Sequence, residues 1–212
     1  MNHPIEFVYF DLGNVLVSFD PNVACNNLVA RFGVGNDQAW KAIYGSGAQD
    51  QFEHGQLSGE EFAEKVRKVI GTDAARMPTA ELLDAISDMF APIDAMAEVL
   101  CRVRASGFGV GLLSNTCQAH WDWIRRQTYL MNQFSFDVTI LSFEEGAMKP
   151  DVAIYQAAEE RAGVPAERLL FLDDKQENID AALARDWRAV RCFGGPEAIQ
   201  ALQKFGILGL DI

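Results

Sequence analysis

Five short apolar runs punctuate an otherwise mixed pattern: Phe7–Phe10, Val110–Leu113, Val138–Leu141, Leu169–Leu172 and Ala189–Cys192. Each is bounded by polar or turn residues, which is the signature of strands buried on both faces of a parallel sheet. The last four are separated by segments with helical spacing, such as Val152–Ala162 and Glu177–Arg185. Strands alternating with helices predict a doubly wound α/β sheet.

The first two runs are separated differently. About a hundred residues lie between them with little strand character, and a single helical crossover is far shorter than that. Apolar residues recur there at helical spacing: Val23, Leu28, Val29 and Phe32, then Phe62, Val66, Val69 and Ile70, then Leu82, Leu83 and Ile86. Ser58-Gly-Glu-Glu61 fits a capping box that opens a helix before Phe62, and Gly71 and Met77-Pro78-Thr79 read as breaks. The stretch is therefore expected to be a helical cap inserted into the sheet domain. Residues 1–16 and 96–212 form the core in this reading, and 17–95 the cap. One amphipathic helix is expected after Gly194-Gly195-Pro196.

Composition narrows the function. A formal net charge of −12 argues against a nucleic-acid or anionic-membrane surface. It is compatible with a small anionic substrate, because a bound cation inverts the local field. The four cysteines, Cys25, Cys101, Cys117 and Cys192, form no C-x-x-C pair and are expected to be reduced thiols. No leader-like or membrane-spanning run is present, so a cytoplasmic protein is expected. The pattern specifies no oligomeric state.

Ligands bind open α/β sheets at the carboxyl ends of the strands. Those ends carry Asp11-Leu-Gly-Asn-Val-Leu16, Ser114-Asn115-Thr116 and Asp173-Asp174, with Lys149-Pro150 just past the third run. Each alone has a bland reading: Asp11 as a turn residue, Ser114-Asn115-Thr116 and Asp173-Asp174 as helix caps, Lys149 as a solvated lysine. Together they read as one site. Three carboxylates at adjacent strand ends repel one another unless a cation lies among them, and carboxylate and carbonyl oxygens are magnesium ligands. A cation with Lys149 would neutralise a phosphoryl group. The Ser114 hydroxyl and Asn115 amide can donate to its oxygens, and a carboxylate can attack phosphorus to give an acyl phosphate.

In this order, the motifs resemble the haloacid dehalogenase superfamily over nearly the whole chain, and they imply its Rossmann-like core. The resemblance implies a magnesium-dependent phosphatase in which Asp11 is the nucleophile, Ser114 binds phosphate and Lys149 pairs with nucleophile and phosphate. It also implies metal ligation by Asp11, the Gly13 carbonyl and the pair Asp173-Asp174, with Asp174 the direct ligand. The first motif, D-L-G-N-V, and the stretch Phe52-Glu-His-Gly-Gln-Leu-Ser58 resemble a sugar-phosphatase-like branch that hydrolyses α-glucose 1-phosphate.

One departure matters. Most such phosphatases read D-x-D, and the second aspartate serves as acid and base; here that position is Gly13. His54 and Asp20 are the sequence candidates for the missing group, and His120 lies near enough to the second motif to face the site. Trp121, Trp123 and Tyr129 read as packing residues. Two other functions compete: a haloacid dehalogenase, which also lacks the second aspartate but has a less acidic fourth motif, and a phosphate-binding scaffold without catalysis.

Overall fold

The computed structural model describes residues 4–209. The N-terminal residues 1–3 read above for a leader lie outside the described residues, as do 210–212. A five-stranded, wholly parallel sheet runs β5-β4-β1-β6-β7. Its strands are β1 (Phe7–Phe10), β4 (Gly109–Ser114), β5 (Val138–Leu141), β6 (Leu169–Asp173) and β7 (Arg188–Arg191), all within two residues of the apolar runs. Two short strands, β2 (Val17–Phe19) and β3 (Phe90–Pro92), pair antiparallel, with Phe19 opposite Phe90. In chain order, β2 follows β1 and β3 precedes β4.

Between β2 and β3 the described chain is helical or turn. It contains α1 (Pro21–Phe32), α2 (Asn36–Trp40), a π-helical turn (Lys41–Gly45), α3 (Ala48–Glu53), α4 (Gly59–Ile70) and α5 (Thr79–Ser87). The capping box forms: the Ser58 side chain accepts from Glu61 N, and the Glu61 side chain accepts from Ser58 N. Gly71 ends α4 at φ 78, a left-handed conformation that suits glycine. These helices pack around an apolar cluster that also takes in Cys117, and in it Phe52 and Phe62 stack with centroids 4.8 Å apart.

The remaining helices are α6 (Ala95–Ala105), α7 (Gln118–Arg126), α8 (Ser142–Glu145), α9 (Val152–Ala162), α10 (Gln176–Leu183) and α11 (Pro196–Lys204). Successive strand residues point to opposite faces, so each face has its own core. Val8, Phe10, Val110, Leu112, Leu170 and Leu172 pack against α6 and α11. Phe7, Tyr9, Leu113, Leu169 and Phe171 pack against α9, α10 and Trp187. Two glycines make room on this second face. A Cβ at Gly109 would lie 2.3 Å from Phe7 Cδ2, and one at Gly111 2.3 Å from Tyr9 Cε1. The aromatic rings of β1 thus fill the space that β4 leaves bare.

The helical insertion rests on the sheet domain at a close backbone approach. Gly55, at φ 69, abuts Phe143, whose carbonyl oxygen would be 2.1 Å from a Cβ at that position. Beside it, Ser142 Oγ lies 2.6 Å from the Glu53 carbonyl oxygen as donor. Asp84 and Arg126 form a surface ion pair at 2.6 Å between α5 and α7. The four cysteines are free thiols, with Cys101 exposed and the other three buried. No helix among the described residues is long and apolar enough to cross a membrane.

Candidate active site

β1 lies between β4 and β6, and the chain winds out to β5 on one side before crossing to β6 on the other. The carboxyl ends of these central strands therefore converge, and the polar residues predicted from sequence meet there. Asp11 follows β1, its N–H donating to Leu172 O of β6 at 2.9 Å. Ser114 ends β4 and Asp173 ends β6.

Lys149 is the hub. Its Nζ donates to Asp11 Oδ1 at 2.8 Å, Asp173 Oδ2 at 2.7 Å and Leu113 O at 2.9 Å, and its side chain is 1% exposed. All three ammonium hydrogens thus have partners. Burial works to lower its pKa, but the charges of Asp11 and Asp173 outweigh burial and hold it above the ordinary lysine value. Burial pushes the Asp11 carboxyl upward; the Lys149 charge opposes the shift and the Asp173 charge adds to it.

The two aspartates of the fourth motif differ. Asp173 is fully buried and both its oxygens are engaged: Oδ1 accepts from Lys175 N at 2.8 Å, and Asn178 Nδ2 lies 3.0 Å from each oxygen. Asp174 is half-buried and accepts from Asn14 Nδ2 at 2.9 Å through Oδ2 alone. Asn14 sits in the left-handed region at φ 57, which asparagine tolerates. Ligand atoms of Asp11, Asp173 and Asp174 lie within 4.8 Å of one another. Three carboxylates outnumber the two lysines of this cluster, Lys149 and Lys175, and their oxygens are a donor set that fits a hard divalent cation. Asp174 has the more open carboxylate, and Asp11 Oδ2 accepts no hydrogen bond among the described residues.

Asn115 braces the lysine backbone and still lines the site, with one Nδ2 hydrogen uncommitted among the described residues. Its Oδ1 accepts from Lys149 N at 2.7 Å and its Nδ2 donates to Lys149 O at 2.8 Å, so the amide locks the lysine backbone into place. Ser114 is buried, and its Oγ has only a long 3.4 Å contact to Asn115 O, which leaves the hydroxyl available.

Two cavities open here. One, about 100 Å³, is lined by Asp11, Lys149, Asp174, Lys175 and Asn178. The other, about 90 Å³, runs from Ser114 and Thr116 to Tyr44, Gln49, Glu53, Phe90 and His120. Gly13, Phe19 and Asn115 line both. His120 therefore faces the site, its ring edge-on to Phe90 and its pKa pushed down by burial to about 4.

His54 and Asp20 line neither cavity. The His54 ring Nδ1 lies 2.9 Å from Asp50 O, and Asp20 caps α1 by accepting from Asn22 N at 2.9 Å. Trp121 and Tyr129 pack against the sheet-domain core, and the guanidinium of Arg126 lies over the Trp123 ring. Phe19, Tyr44 and Gln49 carry no motif spacing. Glu53 and Asn14 lie inside the quoted motif stretches but have no role legible there, Asn14 because its partner Asp174 is 160 positions away. Asn178 follows its partner Asp173 by five residues, outside any motif.

The model of the haloacid dehalogenase-like hydrolases matches residues 5–185. The sesquiterpene phosphatase astK of Aspergillus oryzae is 25% identical over 176 residues, covering 82% of this chain and 83% of that protein. An (S)-2-haloacid dehalogenase of Pseudomonas fluorescens is 30% identical over 91 residues, covering 43% of this chain and 39% of that enzyme. Among solved structures, the HAD family enzyme bt-2542 of Bacteroides thetaiotaomicron, in complex with magnesium and inorganic phosphate, superimposes with a TM-score of 0.78 at 24% identity. That superposition covers 93% of this chain and 98% of that one, and it shows the shared fold. With the four motifs gathered at the ends of three central strands and the family model spanning most of the chain, the protein belongs to the haloacid dehalogenase-like hydrolases.

Proposed function

We propose that this hydrolase is a magnesium-dependent phosphatase acting on small phosphomonoesters through an aspartyl-phosphate on Asp11. The observation that carries this reading is the buried ammonium of Lys149 bridging Asp11 Oδ1 and Asp173 Oδ2, with Asp174 in the same carboxylate cluster. Lys149 orients the nucleophile and offsets its charge as a phosphoryl group approaches. Asp11 Oδ2 attacks phosphorus, the Ser114 hydroxyl holds a phosphoryl oxygen, and the leaving oxygen departs toward the cavity of Glu53 and His120. Asp11, Asp174 and the Gly13 carbonyl would hold magnesium, which supplies Lewis-acid stabilisation of phosphoryl charge when bound. A structure-level relative with magnesium and phosphate bound, and a curated relative named as a phosphatase, support the same reading.

The insertion acts in this reading as a cap that closes over the leaving group and selects it. Leu12, Phe19, Pro21, Met89 and Phe90 give the cap-side cavity an apolar wall, and its volume is about 90 Å³. That favours a compact leaving group with an apolar face. A sugar phosphate such as α-glucose 1-phosphate is a lead from the first motif and the stretch Phe52–Ser58, and a cytoplasmic setting fits a phosphometabolite substrate.

The dehalogenase alternative needs Asp11 to attack carbon and has no use for a metal cluster; the acidic pair Asp173-Asp174 weighs against it. Phosphate release should be screened over sugar phosphates, nucleotides, prenyl monophosphates and p-nitrophenyl phosphate, with magnesium and with EDTA, beside halide release from 2-chloropropionate. Magnesium-dependent phosphate release is expected. Metal-independent halide release without phosphate release would overturn the proposal.

A further inference from the structure

Gly13 removes from the site the side chain that would protonate a leaving alkoxide and then deprotonate the attacking water. The proton must come from another group lining the cavity that Gly13 shares with Ser114 and Thr116. Among the described residues lining it, three side chains titrate: Tyr44, Glu53 and His120. The Tyr44 hydroxyl lies 3.9 Å from Met89 Sδ, and burial holds it protonated far above neutral pH, so it cannot cycle. Burial keeps His120 neutral, with no acidic proton to give near neutrality. Glu53 differs from both. Its Oε1 accepts from Gln49 Nε2 at 2.8 Å, whereas Oε2 accepts nothing among the described residues.

We propose that Glu53, carried by the helical insertion, is the general acid and base of this hydrolase in place of the side chain absent at Gly13. The assignment rests on the phosphatase reading above. Its geometric basis is the clasp between insertion and sheet domain. Ser142 Oγ lies 2.6 Å from Glu53 O and 2.9 Å from Thr116 O, and it accepts from Thr116 N at 2.9 Å. One serine thus fixes the backbone of Glu53 against the loop that presents Ser114. Two residues on, Gly55 abuts Phe143, where any side chain would collide.

The charged and titratable groups facing Glu53 are Asp50 and His54 beside it, Tyr44 before α3, Cys117 ahead of α7, and Lys175 past β6. Burial raises the carboxyl above the ordinary glutamate value, Gln49, Lys175 and His54 restrain that rise, and Asp50 adds to it. A carboxyl lifted in this way holds a proton closer to neutral pH and accepts one back more readily.

The steps balance. As Asp11 Oδ2 bonds to phosphorus and the bond from phosphorus to the ester oxygen breaks, Glu53 gives its proton to that oxygen and the alcohol leaves. The Glu53 carboxylate then takes a proton from water as the water oxygen bonds to phosphorus. The bond from phosphorus to Asp11 breaks, releasing phosphate and restoring both carboxyl groups.

The test compares two leaving groups in wild type and Glu53→Gln, after unfolding midpoint and magnesium affinity have been matched. Glycerol phosphate leaves as a strongly basic alkoxide; p-nitrophenyl phosphate leaves without help. The expected loss in kcat/KM on glycerol phosphate is roughly 10²–10⁴-fold. It should exceed the loss in the rapid-mixing nitrophenolate burst by at least about thirtyfold, and the alkaline limb of the glycerol-phosphate pH profile should vanish. Glu53→Asp, which keeps a carboxyl, should recover about tenfold of the loss and so separates chemistry from misfolding. Equal losses on both substrates, or no loss on either, would overturn the assignment while leaving the phosphatase reading standing. Wild type inert on every phosphomonoester would overturn both.

Discussion

The Phe19 ring occupies the space into which a side chain at Gly13 would project: a Cβ at Gly13 would lie 2.8 Å from Phe19 Cε1. Gly13 is not among the residues at positive φ, so its backbone tolerates a side chain and the obstacle is the ring. Phe19 belongs to β2, opposite Phe90, with ring centroids 5.8 Å apart. Gly13 and the aromatic pair are thus one arrangement, in which an apolar wall fills the space a longer side chain at Gly13 would need.

Gly13→Asp alone should therefore cost about 1–3 kcal/mol of stability through overpacking. The double variant Gly13→Asp/Phe19→Leu should recover most of that. Only the double variant should hydrolyse glycerol phosphate faster than its parent does. Thermal unfolding with phosphate release on the same preparations checks both halves. If the single variant unfolds at the wild-type temperature, Phe19 is not the obstacle.

Asp11→Asn should remove turnover by about 10⁴-fold or more while the fold persists. The amide matches the carboxylate in size and is a far poorer nucleophile. Rapid quench with a labelled phosphodonor should trap phosphoprotein in wild type and none in the variant. Residual activity near wild type in a clean preparation would end the covalent mechanism.

Asp173→Ala and Asp174→Ala should fail differently. Removing Asp173 strands Lys149 and Asn178 in the interior, and breaking such a pair costs about 3–5 kcal/mol. Removing Asp174 takes away a half-buried carboxylate whose one side-chain partner among the described residues is Asn14, so stability should change by about 1 kcal/mol or less while magnesium affinity falls more steeply. Urea unfolding and magnesium titration calorimetry separate the two. EDTA should abolish activity in wild type, and magnesium should restore it.

His120 makes stability pH-dependent. Its pKa falls from 6.5 to about 4 on folding because burial disfavours the imidazolium. Between those values the unfolded chain binds a proton that the native state refuses, so stability is lost as pH falls through this window. The full shift corresponds to about 3 kcal/mol. Urea unfolding at several pH values, beside an NMR titration of the His120 ring, should show the decline and a midpoint well below 6.5. A ring titrating at its ordinary value would refute the burial argument.

Much of the molecule was legible in the chain because the governing rules are local. β1 and β5 coincide with their apolar runs, α9 coincides with Val152–Ala162, and the Ser58 capping box forms as its spacing requires. Asp11 and Asp174 directly follow β1 and β6, Ser114 and Asp173 close β4 and β6, and parallel strands bring their carboxyl ends together whatever the loops do. That geometry gathers these residues with Lys149, so the candidate site could be assembled from motif order alone.

What faces that cluster was decided by tertiary structure. Asn115 reads in sequence as a phosphate donor; the fold gives its amide the further task of bracing the Lys149 backbone in both directions. Asp173 and Asp174 are adjacent and alike in sequence; strand alternation buries one beneath Lys149 and leaves the other half-open to Asn14. Glu53 and His54 are neighbours too, and only Glu53 lines the cavity. Periodicity assigns each residue to a face of its own helix, but which face meets Gly13 depends on how the insertion rests on the sheet domain. That docking turns on contacts such as Gly55 against Phe143 and Ser142 between Glu53 and Thr116, whose partners are 26 or more positions apart in the chain. Close packing between distant segments is set by the shapes of both surfaces at once, and no spacing within either segment encodes it.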